Sequence, residues 1–448
     1  MRGASTVAVE TKSSVRRTLV SATVGTTIEW YDFYIYATCA ALVFPTVFFK
    51  DSDPQLAVLA SFGTYTVGFL ARPLGGVIFG HMGDRIGRKA ALISTLLIMG
   101  FGTLAIGMLP TYEQIGIWAP ILLVVLRIVQ GIGVGGEWGG AVLIAMEAAP
   151  KEKRGFYAAW PGFGVPVALL ISTGVISFVS AVTGDDFVGS GPFAGWRWPF
   201  YVSVLLILVG FYMRAKVDES AAFKKTKAMG AVAKQPVIEV IRKNWREILT
   251  IIFLRAGENA PYYVFASFVL VYGTTVLGFS REFILNCVLG ASAIAMFTVP
   301  FFGWLSDRIG RRRTYVIGTM LQLLFIFPYF GLLNTGHPVV VAVTVVLSLV
   351  PWTMQYGPQP ALIAESFPAG LRYSGASLGY QFSSPLWGGL APLIAVALLP
   401  VSIWWIAAYM AALCIVTLVA SRTIRDNTGD VDEVVLADDI KMATPTSR

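Results

Sequence analysis

Charge is scarce in this chain. Asp, Glu, Lys and Arg make up only 13% of its 448 residues, about half of the ~25% usual in soluble domains. With 56% hydrophobic residues and a mean hydropathy of +0.68, this deficit excludes an ordinary soluble domain and points to a bilayer. Histidine is nearly absent. His81 stands in a charged turn and His337 in an outer loop, and neither is assigned to proton transfer. Cys39, Cys287 and Cys414 sit in apolar stretches without metal-ligand spacing, which leaves no disulfide framework and makes them small packing residues. The chain also lacks an ATP-binding loop, a metal cluster and a nucleophile arrangement, so an enzyme has no motif behind it and no cofactor is expected.

The net charge of +8 does not imply nucleic acid. The basic residues gather in short gaps between apolar runs, as the positive-inside rule expects of cytoplasmic loops. The first apolar run, from near Leu19 to about Phe49, is too long for a signal-peptide core and is expected to be retained.

Between two such runs lies Gly80-His81-Met82-Gly83-Asp84-Arg85-Ile86-Gly87-Arg88-Lys89, which returns as Gly303-Trp304-Leu305-Ser306-Asp307-Arg308-Ile309-Gly310-Arg311-Arg312. So charged a segment cannot lie in hydrocarbon. Its recurrence indicates two copies of one membrane unit. A second pair agrees. Glu147 and Arg154 bracket Pro150, and Glu365 and Arg372 bracket Pro368, each Arg seven residues after its Glu.

A membrane-crossing helix needs ~20 apolar residues. Spans are expected at approximately 19–48, 56–80, 90–109, 119–146, 155–182 and 197–215, then 247–274, 281–304, 314–333, 338–363, 373–399 and 403–421. That gives an all-α membrane protein of twelve transmembrane helices in two pseudo-symmetric six-helix halves. The organisation read from the chain is a cytoplasmic N-terminal segment (1–18), a first half (19–215), a cytoplasmic linker with possible amphipathic helix (216–246), a second half (247–421) and an acidic, disordered tail (422–448). Lys and Arg fall in the loops that place both termini and the linker on the cytoplasmic side.

These features resemble the major facilitator superfamily, whose signature loop the two Gly-x-x-x-Asp-Arg-x-Gly-Arg turns match. Glu29-Trp30-Tyr31-Asp32-Phe33, Arg72-Pro73-Leu74-Gly75-Gly76, Arg127-Ile128-Val129-Gln130-Gly131, Gly135-Gly136-Glu137-Trp138-Gly139-Gly140 and Tyr373-Ser374-Gly375-Ala376 are similar to its metabolite:proton symporter family. That family includes shikimate, ketoglutarate and proline/betaine carriers, and the shikimate-permease-like subgroup looks closest. Two departures stand out. Asp218-Glu219-Ser220-Ala221-Ala222-Phe223 replaces the family's Glu-Thr-Pro-x-Phe, and the tail lacks the coiled coil of the osmosensing members.

Ionisable residues inside a membrane are functional candidates, because each costs about 2.5 to 3.5 kcal/mol unpaired on insertion scales. Four acids, Glu29, Asp32, Glu137 and Glu258, face three arginines, Arg72, Arg127 and Arg255. Arginine stays charged, so at least one acid is expected to be protonated for part of the cycle, and all four are proton-coupling candidates. Glu29 and Asp32, three apart, share a helix face with Tyr36, and Asp32 leads as the proton site, with structural pairing to an arginine as the alternative. Arg127 either partners a span-1 acid or binds a substrate carboxylate. Arg72, about 12 residues before Asp84, needs an acid or an anionic ligand. Arg255 and Glu258 can pair within their helix beside Asn259, Pro261, Tyr262 and Tyr263. Gln355 and Tyr356 recur with Trp352 and Gln359 at helical spacing in one span, and Gln381 is polar in the next; together with Arg72, Arg127, Arg255, Tyr36, Asn259 and Tyr263 they form the substrate set, against plain helix-to-helix hydrogen bonding.

The gating set comes from the repeated segments: Asp84, Arg85, Arg88, Asp307, Arg308 and Arg311 from the turns, with Glu147, Arg154, Glu365 and Arg372. They are read as latches closing the cytoplasmic side. The expectation is a monomeric plasma-membrane carrier, driven by the proton gradient, that takes up a small organic metabolite, with the family resemblance and the three arginines pointing to an organic anion. A proton-antiporting exporter and a non-transporting sensor are the alternatives.

Overall fold

The computed structural model describes residues 12–51, 53–216, 236–424 and 426. Most of the expected linker and nearly all of the acidic tail lie outside these described residues. No strand occurs among them. The first half comprises α1 (Lys12–Leu42), α2 (Pro54–Arg85), α3 (Arg88–Met108), α4 (Trp118–Glu147), α5 (Arg154–Thr183) and α6 (Trp198–Ala215). The second comprises α7 (Pro236–Leu254), α8 (Ala256–Tyr263), α9 (Val269–Thr275), α10 (Arg281–Ile309), α11 (Arg311–Leu333), α12 (Pro338–Tyr356), α13 (Gln359–Ala364), α14 (Arg372–Ser383), α15 (Ala391–Leu398) and α16 (Ile403–Ala420).

Eight helical stretches among the described residues are long and apolar enough to cross a membrane. They contain α3, α4, α5, α6, α10, α11, α12 with α13, and α16. The other long stretches carry buried charge at their centres: Glu29 and Asp32 on α1, Arg72 on α2, and Arg255 and Glu258 at the α7–α8 junction. Outward faces are apolar, with Phe101, Phe178, Phe297 and Leu324 more than two-thirds exposed, as lipid contact requires.

α2 packs on α4, α1 on α5, and α3 on α4 and α6. In the second half α10 and α11 pack on α12, and α11 also meets α16. The halves join along α5 against α10 and α2 against α14, a pseudo-symmetric pair of crossings. Each repeated turn reverses at a glycine with positive φ, 137° at Gly87 and 100° at Gly310. A side chain would be strained there, which accounts for glycine at both positions.

In the second half, helix breaks lie beside the buried charges. Two π-helical turns, Val264–Phe268 and Ser384–Gly389, interrupt it, and the chain breaks again between α7 and α8. Backbone groups released at that break are taken up by side chains. Tyr315 and Thr417 each donate to the Leu254 carbonyl at 2.9 Å, and Gln322 donates to the Gly257 carbonyl at 2.5 Å. Irregular backbone at membrane depth persists only when satisfied in this way.

Candidate functional site

α1 brings Glu29 and Asp32 to the centre of the first half, where both are buried. Asp32 sits at one end of a hydrogen-bonded chain. Thr103 donates to Asp32 Oδ2 at 2.6 Å, Gln130 Nε2 donates to Thr103 Oγ1 at 2.7 Å, and Arg127 Nη1 donates to Gln130 Oε1 at 3.1 Å. Asp32 Oδ1 is buried without a partner. Arg127 lies 4.1 Å above the Tyr36 ring, and Tyr36 bonds Thr64 at 2.5 Å, so Tyr36 braces the arginine. A small cavity, about the size of one water, is lined by Glu29, Asp32, Arg72, Arg127 and Gln130.

Thr103 has more neighbours than protons. The Met99 carbonyl lies 3.0 Å from its hydroxyl, on the opposite choice from Asp32. A hydroxyl is one donor and two acceptor sites. With Asp32 ionised, Thr103 donates to it. With Asp32 protonated, the acid donates to Thr103, which turns its own hydrogen to Met99. Both states are satisfied without moving a heavy atom.

The charge count requires a correction. Arg214, at the end of the sixth expected span, is buried and holds Glu137, which also accepts from Thr95 at 3.0 Å. With Arg214 added, the intramembrane candidates are four acids and four arginines. Two pairs are closed, Glu137–Arg214 and Glu258–Arg255. Glu29, Asp32, Arg72 and Arg127 form no ion pair among the described residues.

The second-half site is built differently. Arg255 Nη2 lies 3.4 Å from Glu258, and its guanidinium stands 3.5 Å above the Tyr380 ring. It donates to the Tyr380 carbonyl at 2.8 Å and to Ser383 and Ser384. Glu258 also accepts from Trp352 Nε1 at 2.9 Å and from Gln359 Nε2 at 3.0 Å. A second water-sized cavity is lined by Arg72, Arg255, Asn259, Tyr263 and Tyr356, with Trp30 and Trp352 beside them. Arg72 is common to both cavities.

Of the remaining substrate candidates, Gln355 is turned between helices, bonded to Thr319 and Gln322 at 3.0 and 2.9 Å. Gln381 packs against Gly76 of the other half, with Oε1 unpartnered. Neither lines a cavity described above. Sequence reasoning missed Thr103 and Arg214. It also missed Trp138, whose ring stacks on Tyr380 across the halves at 3.6 Å. Gln130 was legible, three residues after Arg127 on one helix face. Thr103, on another helix, gave no signal.

The repeated acids cross between the halves. Asp84 accepts from the backbone amides of Tyr373 and Ser374 at 3.2 and 2.8 Å, at the start of α14. Asp307 accepts from Gly155 and Phe156 at 2.7 and 2.9 Å, at the start of α5. Each carboxylate thus occupies the positive end of the opposite half's helix. Arg88 pairs with Glu147 at 3.0 Å, and Arg372 reaches that acid from the other half at 3.8 Å. Arg311 holds Glu365 at 2.5 Å and Asp307 at 2.8 Å. Arg154, which precedes these amides, is partly buried, whereas Arg85 and Arg308 are exposed. Both crossings join the two halves, and each cavity between the buried residues has room for about one or two waters.

The sequence pattern of the Major Facilitator Superfamily matches residues 24–392. Among curated proteins, the chain is 42% identical to a "Shikimate transporter" of Escherichia coli (strain K12) over 421 residues, 93% of this chain and 95% of that protein. It is 38% identical to the "Inner membrane metabolite transport protein YhjE" of the same organism, covering 91% and 93%, and 31% identical to its "Proline/betaine transporter", covering 92% and 84%. Among solved structures, the proton:xylose symporter XylE bound to 6-bromo-6-deoxy-D-glucose superposes with a TM-score of 0.76 at 15% identity, over 95% of this chain and 100% of that one.

Proposed function

The chain belongs to the Major Facilitator Superfamily, and from that premise we propose that this metabolite transporter is a proton-coupled symporter taking up a small organic anion. It is a multi-pass plasma-membrane protein of a transporter family, not an enzyme. Twelve spans, with α7–α9, α12–α13 and α14–α15 each counted as one, and cytoplasmic termini are part of the proposal. So are a monomer carrying its own pathway and the proton gradient as driving force without a cofactor.

The observation that carries the reading is Asp32. Its carboxylate is buried with one oxygen unpartnered, beside a hydroxyl that satisfies either protonation state. A proton can therefore arrive and leave without rebuilding the site. Arg72 beside aromatic walls favours an anionic substrate. The latches at Asp84 and Asp307 hold the cytoplasmic side shut, and their breaking would let the halves rock about the central site. The chain's similarity to a shikimate transporter and a proline/betaine transporter is consistent with a small metabolite as substrate.

The test is uptake of radiolabelled metabolites into proteoliposomes with and without an inward proton gradient. Wild type is expected to accumulate one substrate above equilibrium. Asp32→Asn is expected to equilibrate and exchange that substrate but not concentrate it. Concentrative uptake that survives Asp32→Asn would remove Asp32 from coupling, and efflux driven by proton entry would turn the reading to export.

A further inference from the structure

Arg72 is the one residue that lines both cavities described above, and it is buried in mid-helix on α2. Among the described residues it has no hydrogen bond and no carboxylate within ion-pair distance. Its only partners are aromatic faces, Phe69 at 4.3 Å and Phe33 at 5.5 Å. Cation–π contact offsets about 0.5–2 kcal/mol, whereas burying an ion costs several kcal/mol. The guanidinium cannot relieve the deficit by losing its proton. A buried arginine left in this condition calls for an anion that is present for part of the cycle.

Two sources are within its cavities. On one side Glu29 lines the shared cavity and likewise has no hydrogen bond or ion pair among the described residues. On the other side the second cavity supplies Asn259, whose Nδ2 is buried and unpartnered, and the aromatic wall of Tyr262, Tyr263 and Trp352. Arg255, the other cation there, is already committed to Glu258 and Tyr380. The second cavity therefore offers one free guanidinium, one free amide donor and flat apolar faces.

We infer that Arg72 anchors the substrate's carboxylate and is passed between that carboxylate and Glu29, which ties substrate binding to protonation. This rests on the symport reading and deepens it. When Glu29 is ionised it claims Arg72 and the substrate's carboxylate competes poorly. When a proton neutralises Glu29, Arg72 turns its planar fork to the incoming carboxylate, whose two oxygens match it. The proton, passed from Asp32 through the cavity that both acids line, stays on Glu29 until the site opens to the other side, so the charge entering with the substrate is balanced by the proton. A single free cation selects a singly charged acid. The aromatic wall and Asn259 select a flat or ring-shaped body bearing a hydrogen-bond acceptor.

The test uses the full chain in lipid nanodiscs, with radiolabelled shikimate, its methyl ester and inorganic phosphate as probes at one acidic and one alkaline pH. Shikimate is expected to bind, more tightly in acid, and the ester and phosphate roughly 30-fold or more weaker. Arg72→Gln should lose shikimate binding by a similar factor. Arg72→Lys, which keeps the charge without the fork, should recover part of it and guards against misfolding of the neutral variant. Glu29→Gln should bind in alkali as wild type does in acid. Shikimate binding within about twofold of wild type in Arg72→Gln, ester binding equal to the acid, a preference for phosphate, or no binding of any probe would each overturn the assignment. So would an unchanged pH dependence in Glu29→Gln. Gradient-driven uptake of a zwitterion that survives Arg72→Gln would end the anchor and leave proton coupling standing. Carboxylate binding without gradient-driven uptake would end the symport reading and leave the anchor.

Discussion

Glu258 in the second half and Asp32 in the first are both buried carboxylates, yet their surroundings differ in kind. Glu258 is held by Arg255, by the Trp352 indole and by the Gln359 amide. Asp32 has one hydroxyl partner, and that hydroxyl has an alternative acceptor. The same contrast runs through the backbone. α1 is unbroken across Glu29 and Asp32, while the second half interrupts its helices at Arg255 and at two π turns. Committed donors and broken helices fix a shape, as a binding wall requires. An under-committed carboxylate on an intact helix can change charge without changing shape. Duplication supplied one unit twice, and the buried polar residues gave the copies different work.

The strongest way to break this comparison is to open a closed pair in the half that holds the labile groups. Arg214→Met leaves Glu137 buried with only Thr95. Removing one partner of a buried ion pair costs about 3–5 kcal/mol, so thermal unfolding in detergent should fall steeply and little folded protein should be recovered. Adding Glu137→Leu removes the stranded charge and should restore most of the loss. If Arg214→Met is as stable as wild type, Glu137 belongs with Asp32 among the labile acids, and the division between closed and open groups fails.

A smaller effect is expected where the halves are alike. Asp84→Asn and Asp307→Asn each keep one acceptor oxygen and lose the charge at the opposite helix start. Each should weaken its crossing by about 1–2 kcal/mol, raising the rate at which amides 155–156 or 373–374 exchange hydrogen. Equal effects would sharpen the view that the latches kept their symmetry while the centre lost it. A large effect from only one substitution would show that one crossing carries the closure.

The sequence made the repeated acids legible because the turn that carries them needs a fixed pattern. The turn requires glycine at 87 and 310, and the acid must stand three residues earlier to reach the facing helix. The buried centre was legible in part. Glu29, Asp32, Arg72, Arg127, Arg255 and Glu258 stood out because charge in an apolar run is costly. Arg214 did not, because it sits at the end of its run. Thr103 did not, because one hydroxyl among apolar neighbours costs little and its partner lies 71 residues away in sequence. Residues matched between distant helices leave no periodic trace, so which acid was paired could be read only from the fold.

The smallest expected effect concerns the loops at the end opposite the repeated turns, where the contrast between halves recurs in the open. The first half ties its loops with an exposed ion pair, Lys50 with Glu113. The second uses a neutral contact, the Tyr272 hydroxyl donating to Asn334. The Lys50 hydrogen bond holds Glu113 below its ordinary value of 4.5, with Ser190 adding to it. The same bond holds Lys50 above its ordinary 10.5. A carboxylate lowered by folding stabilises above its unfolded value and loses that contribution as pH falls through the folded one; a raised lysine contributes below its unfolded value and loses it as pH rises through the folded one. The tie is therefore fully present between about 4.5 and 10.5 and fails on acidification below that window. Exposure and salt keep it weak, so global stability should not move measurably. Hydrogen exchange at 112–116 should nevertheless quicken in acid while exchange at 333–336 does not, and Glu113→Gln should remove the acid dependence. Acid-quickened exchange at both loops would mean that the two loops respond as one body, and that the division between charged and neutral ties has no consequence there.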